Sequence, residues 1–251
     1  MTNFNFDQFY NLGYQVLPNI LSDQQVLRLK HRLDEIYQIQ LSEFGEEDMA
    51  LIGESDTVRA PFLYDDLFIN LFSGPFAKTV TTKILGEHRI LSLQNAILVR
   101  PGKSHHQSSY HRDIVHQNFT SSTPLAINLY YCLDNYNLDT GGTHFLASSH
   151  RLDHFPKNQQ PHIPNISAGS VVLFDSMIYH KSGANISNSD RYGINNMFTL
   201  PFIKQQIDYP SILKTPTNDK DLNQLFGFHS RAFDNVIGFR KYRLERFGND
   251  K

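Results

Sequence analysis

Residues 168–200 read AGSVVLFDSMIYHKSGANISNSDRYGINNMFTL, and their pattern decides the fold. Ala168-Gly169 is a turn signal ahead of a short apolar run at 170–174. A second run, 192–200, alternates. Arg191, Gly193 and Asn195 share one face, and Tyr192, Ile194 and Phe198 share the other. That is the period of two of a β-strand. A polar face opposite an apolar one is expected of a barrel that holds a ligand inside and packs helices outside.

Working outward, residues 90–100, 125–133 and 142–148 are also short segments rich in Val, Ile, Tyr and Phe. Pro101-Gly102 and Asp139-Thr140-Gly141-Gly142 supply turns between them. Short strands separated by turn signals predict an all-β sandwich or barrel. The N-terminal third is helical in pattern. Ser22 with Gln25 forms a capping box, and Val26, Leu29, Leu33 and Ile36 then mark one helix face. Short helices are expected between 63 and 85, and a last one over 233–247 with Val236, Phe239 and Leu244 apolar. The expected fold class is mainly β with flanking helices. A single domain over 1–251 comprises a helical region at 1–89, a β core at 90–204 and a helical wrap at 205–251, with both ends packed on the core.

The formal net charge is −2, which points away from nucleic acid and from anionic membranes as partners. No apolar stretch is long enough to span a bilayer. The first residues, MTNFNFDQFYNLGY, lack the basic and apolar regions of a signal peptide. The one cysteine, Cys132, lies in an apolar run and reads as a buried, inert thiol. A lone thiol fits a reducing compartment, so a cytoplasmic setting is expected.

Among the twelve histidines, two placements matter. In Tyr110-His111-Arg112-Asp113, strand periodicity would put His111 and Asp113 on one side, where an imidazole and a carboxylate bind one ion. His180 ends the apolar segment 176–180 and offers a third ligand. Two His and one carboxylate leave open coordination positions, the facial arrangement of non-haem iron(II) oxygenases. A 2-oxo acid chelating there needs a cation for its far carboxylate. Arg191, eleven residues after His180, can clamp a carboxylate with parallel hydrogen bonds.

Three stretches together resemble the phytanoyl-CoA dioxygenase-like iron(II)/2-oxoglutarate oxygenases: His111-Arg112-Asp113, GGTHFLASSHR at 141–151, and residues 168–198 quoted above. GYQVLPNILS from Gly13 extends the likeness, which spans roughly 13 to 202. The resemblance implies a double-stranded β-helix, or jelly roll. It implies Fe(II) on His111, Asp113 and His180, and 2-oxoglutarate held at its far carboxylate by Arg191 with help from Ser182. Gln94 matches a cosubstrate-contacting Gln in the ectoine hydroxylase branch. Asp113 stands where related halogenases carry a small residue, so hydroxylation of a small molecule by O2, with release of succinate and CO2, is implied. The family often has Pro-Gly-Ser-His where this chain has Ala147-Ser148-Ser149-His150, which bears on the subfamily. His150 reads as a turn residue.

Arg112, Tyr130 and His144 are the candidates for substrate contact, and the polar residues Arg112, His144 and Gln94 lean towards a polar small molecule. On a regular strand Arg112 would point away from its neighbours, so it is either a framework residue or a reach to an anionic group. Of Tyr130 and Tyr131 only one can face inward, and Tyr130 is the choice. His105, His106 and His116 read as loop or surface residues. Two other readings stay open. A cupin-type isomerase would carry a Glu a few residues after closely spaced His, and none follows His105-His106 in that segment. A non-catalytic binding module would show a lost ligand or a lost Arg, and all four positions are filled. No Gly-x-Ser-x-Gly elbow is present, which removes a Ser-His-Asp hydrolase.

Overall fold

A computed structural model describes residues 4–102, 106–114 and 120–248. The chain opens with α1 (Phe6–Leu12), capped by Asn5 and closed at Gly13 in the left-handed region. Then come β1 (Tyr14–Leu17), α2 (Asp23–Phe44), α3 (Glu46–Leu51), β2 (Thr57–Arg59), α4 (Asn70–Ser73) and α5 (Pro75–Leu85). The β core follows: β3 (Ile90–Val99), β4 (Ala126–Cys132), β5 (Thr143–Phe145), β6 (Val171–Asp175), β7 (His180–Ser182) and β8 (Arg191–Thr199). Three helices end it: α6 (Tyr209–Leu213), α7 (Lys220–Phe226) and α8 (Val236–Gly248).

The capping box of α2 forms reciprocally. Gln25 N–H donates to Ser22 Oγ, and Ser22 N–H donates to Gln25 Oε1. Such a cap stabilises a helix by about 1 kcal/mol. The expected face, Val26, Leu29, Leu33 and Ile36, is buried. It packs on a six-stranded antiparallel sheet of order β1-β6-β4-β8-β3-β2. The second sheet, β5 with β7, is small. Flanking helices over an antiparallel β core give the jelly-roll architecture that the family resemblance implies, and a β core where the strand pattern predicts one.

Register sorts the large sheet into two faces. β3 and β8 pair Asn95 with Asn195, Ile97 with Gly193 and Val99 with Arg191. The alternate residues Ala96, Leu98, Ile194 and Phe198, with Leu129 and Tyr131 of β4, join Leu33, Ile36, Phe68 and Phe72 in the helix-covered core. Each fully buried side chain of this size contributes about 1.5–3 kcal/mol. The opposite face meets β5 and β7 through a smaller cluster of Tyr14, Cys132, Tyr136, Phe145, Val172 and Phe174. Gly193 is required there. A Cβ would come within 2.3 Å of the hydroxyls of both Tyr130 and Tyr136.

Three features differ from expectation. β5 is shorter than 142–148, because the chain turns into a 3-10 helix at Ser149–Arg151 after Ser148 takes a left-handed conformation. His111 and Asp113 do not lie on a regular strand. His111 forms an isolated bridge with His180, exchanging N–H···O bonds of 3.0 and 3.1 Å, and Asp113 N–H donates to Ser176 O. The C-terminal wrap is partial. Tyr209 of α6 and Leu225 and Phe226 of α7 are buried, but Val236, Leu244 and Phe247 of α8 are 56–73% exposed. Arg240 lies between those apolar residues on the helix surface, and burying it against an apolar sheet would strand an unpaired cation. No described helix is long and apolar enough to cross a membrane.

Candidate metal centre

Pairing of β7 with the 111 segment sets the site. The bridge places the His111 and His180 rings 4.4 Å apart. Asp113 Oδ1 lies 3.6 Å from the Nε2 of each. One ligand atom from each of the three falls within 4.8 Å of the others, the only such group among the described residues. Both histidines are oriented by the same local device. Nδ1 of His111 is 3.0 Å from Ser109 O, and Nδ1 of His180 is 3.0 Å from Ile178 O. A carbonyl only accepts, so each Nδ1 carries the proton and each Nε2 presents a lone pair. This is the outer-shell bond that fixes tautomer and ring orientation in metal-binding histidines. Burial lowers the His180 pKa and favours the neutral ring; Asp113 acts against that shift and His111 adds to it. Asp113 Oδ2 is buried with no hydrogen-bond partner. Two imidazole lone pairs and a carboxylate, with no donor among them, make a donor set that fits a divalent transition metal.

The same cavity holds Arg191 at another wall. Arg191 is 2% exposed. Its Nη1 donates to Gly141 O, its Nη2 donates to Ser182 Oγ at 3.0 Å, and the guanidinium stacks 4.2 Å over Tyr136. Nε is buried without a partner. The Gly141-Gly142 turn serves this clamp, because a Cβ on Gly141 would strike Gly183 O at 2.6 Å. Tyr130 lies inward as expected, and Tyr136 donates to its hydroxyl at 3.0 Å. Burial keeps the Tyr130 phenol protonated, with Arg191 pulling the other way. Asn195 Nδ2 donates to Asn128 Oδ1, and Asn128 Nδ2 donates to Ser176 Oγ, both at 2.8 Å. That chain leaves Asn195 Oδ1 buried and unpartnered on the cavity side. Phe145 and Phe174 flank His180 and form the apolar backing.

Three candidates sit elsewhere. Gln94 is on the helix-facing side of β3, where it accepts from Phe62 N–H and donates to Phe68 O and Asn196 Oδ1. Asn95 and Ile97 of the same strand take the inward positions, so Gln94 does not face the cavity that holds Arg191. His144 is turned away by the same alternation, since Thr143 and Phe145 take the inward positions opposite Ser182 and His180. Arg112 takes the framework position, turned from the cavity, with Nε and Nη1 buried and without hydrogen-bond partners. It is 6% exposed, donates to Ser149 O and Leu152 O, and stacks 4.1 Å from Tyr179. His150 is a turn residue whose Nε2 meets Tyr10 O. Cys132 is buried, and burial raises its pKa, as an inert thiol requires. His105, His116 and the His106 side chain lie outside the described residues. Sequence reasoning gave no role to Tyr136, which sits outside any strand and offers no periodicity to read.

The family profile described as phytanoyl-CoA dioxygenase (PhyH) matches residues 9–193. An uncharacterized protein of Mycobacterium tuberculosis is 30% identical over 240 residues, covering 90% of this chain and 86% of its own length, and one of Mycobacterium bovis matches equally. The fold is similar to the non-heme alpha ketoglutarate dependent epimerase SnoN from nogalamycin biosynthesis (TM-score 0.60, 15% identity, 77% of this chain and 80% of that one). It is also similar to the non-heme monooxygenase ThoJ in its nickel complex (TM-score 0.63, 15% identity, 80% and 79%). With the profile covering most of its length and the jelly roll beneath it, this chain belongs to the phytanoyl-CoA dioxygenase family.

Proposed function

We propose that the protein is an Fe(II)/2-oxoglutarate-dependent dioxygenase that hydroxylates a polar small molecule with O2 and releases succinate and CO2. The observation that carries this reading is a pairing within one cavity. Three donor atoms with no proton between them converge within 4.8 Å, and a buried arginine with an unused donor faces the same space. His111, Asp113 and His180 would hold the iron, and Arg191 with Ser182 would hold the far carboxylate of 2-oxoglutarate. Bound iron and 2-oxoglutarate supply the oxidising chemistry.

The chain's own residues do the rest. The carbonyls of Ser109 and Ile178 hold both imidazoles in the ligating tautomer before any metal arrives. Gly141 O and Ser182 fix the Arg191 fork, so little side-chain entropy is lost when a carboxylate binds. Phe145, Phe174 and Val172 exclude water from the metal side. With iron bound, Asp113 would supply a ligand where a halogenase leaves room for halide, which favours hydroxylation over halogenation. Tyr130 and Asn195 offer a hydroxyl and a carbonyl to a polar substrate. The lone thiol Cys132 suits a reducing, cytoplasmic setting. The test is a succinate assay with iron(II), 2-oxoglutarate and O2. Succinate formed by the wild-type protein and not by Asp113→Ala supports the reading. No succinate from folded, iron-loaded protein across a panel of polar substrates would move the binding-module reading to the front.

A further inference from the structure

The helix α8 has an unpaired surface that matches another unpaired surface on the same chain. At 100° per residue, Val236, Ile237, Leu244 and Phe247 fall within one arc. All four are 56–73% exposed. Arg240 lies within that arc, and Lys241 and Arg243 flank it. Phe239 and Tyr242 pack at 5.4 and 5.1 Å on Phe233, and Phe247, though exposed, meets the Arg243 guanidinium at 5.2 Å. None of Arg240, Lys241 and Arg243 has a carboxylate partner among the described residues.

The complement lies between α2, α3 and β2. A groove of about 350 Å³ is lined by Phe44, Met49, Ile52 and Leu63 at its floor and walls. Phe44 and Ile52 are 53% and 54% exposed. Glu43 lines the groove, Glu54 lines it paired with Arg59, and α3, which forms one wall, carries Glu46, Glu47 and Asp48 in its first turn. Those three acids have no ion pair among the described residues. An apolar groove edged with carboxylates can take the apolar arc and the cations of α8 together, which the apolar face of the sheet cannot.

We propose that α8 of one copy docks in the α2–α3 groove of a second copy, and that the exchange is reciprocal. One contact alone is too small. A helix of 13 residues presents a strip about 20 Å long, short of the about 800 Å² per partner that a stable dimer buries. Two contacts related by a two-fold axis double the area and close the assembly. Each copy then gives one helix and receives one.

The test is the mass of the full chain by sedimentation at tens of micromolar, with melting temperature and binding to phosphatidylserine vesicles as companions. The expected mass is twice 28.9 kDa. Leu244→Glu with Phe247→Glu gives a monomer that melts normally for the single chain, because both residues are exposed. Glu46→Lys with Glu47→Lys also gives a monomer, and adding Arg240→Glu with Arg243→Glu to it restores the dimer. A wild-type monomer overturns the proposal. So does a dimer that survives the Leu244/Phe247 pair, or a charge exchange that fails to restore it in folded protein. A monomer that binds the vesicles through α8 would assign the helix to a lipid surface instead.

Discussion

The two faces of the β3–β8 pair carry buried polar side chains that differ in one respect. On the helix side, Gln94 and Asn196 are both 0% exposed, and their hydrogen bonds close on each other and on Phe62 N–H, Phe68 O and Leu129 O. On the cavity side, Arg191 Nε and Asn195 Oδ1 are buried with nothing to bond, and across the cavity Asp113 Oδ2 is in the same state. Both sets are polar, buried and neighbours in sequence. The first is a finished network that ties two layers together, and the second is finished only when something binds. Burial of a polar residue therefore does not mark a ligand site; an unsatisfied atom facing a cavity does.

The largest effect that can break this contrast is Asp113→Ala. It removes one of three donors and is expected to abolish succinate production and iron retention while leaving the melting temperature within a few degrees. An active Asp113→Ala enzyme would mean the cluster is not the metal site. Arg191→Ala comes next. Loss of a buried charged partner costs about 2 kcal/mol or more in binding, so the apparent KM for 2-oxoglutarate should rise about 30-fold with a smaller change in kcat, read by steady-state succinate release. Gln94→Ala should do the reverse. It strands Phe62 N–H, Phe68 O and Asn196 Oδ1 and should lower stability by about 2–3 kcal/mol, seen by denaturant melts, while the KM for 2-oxoglutarate stays put. A KM effect from Gln94→Ala with normal stability would erase the distinction between the faces.

The smallest expected effect concerns Asp175, a buried carboxyl near Arg112 on the helix side. Desolvation pushes its pKa up to about 6. The folded state then holds the proton more tightly than the unfolded chain, so stability falls as pH rises from about 4 through about 6, and the contribution of this one protonated carboxyl is gone above that while the rest of the stability remains. Asp175→Asn keeps an acceptor for Met177 N–H and should stabilise the protein by about 1–3 kcal/mol at pH 7.5, with no gain at pH 4. Equal melting temperatures at both pH values would contradict the buried carboxyl.

Much of the fold was legible because strand alternation and turn residues are local signals. That Tyr130 and Tyr131 face opposite sides follows from them, while the choice of Tyr130 as the inward one rests on the family resemblance; Tyr131 does donate to Leu71 O in the helical layer. The donor types at 111, 113 and 180 were legible as a candidate metal set, but not the bridge that brings them together, which depends on pairing between distant segments. Gln94 and His144 were misplaced for the same reason: which side of a strand faces the cavity is set by register with partners that the local sequence does not name. Arg112 resolves to its framework alternative through the carbonyls of Ser149 and Leu152, which lie in a turn that strand periodicity does not describe. The exposure of α8 was illegible because an apolar count ignores the cation set among the apolar residues.

The most direct test of the unfinished cavity is an anaerobic titration of metal-free protein with iron(II) and then 2-oxoglutarate, followed by visible absorbance. The account predicts a charge-transfer band that needs both additions, is absent in Asp113→Ala, and requires more 2-oxoglutarate in Arg191→Ala. Folded wild-type protein that gives no band at saturating iron(II) and 2-oxoglutarate would contradict it.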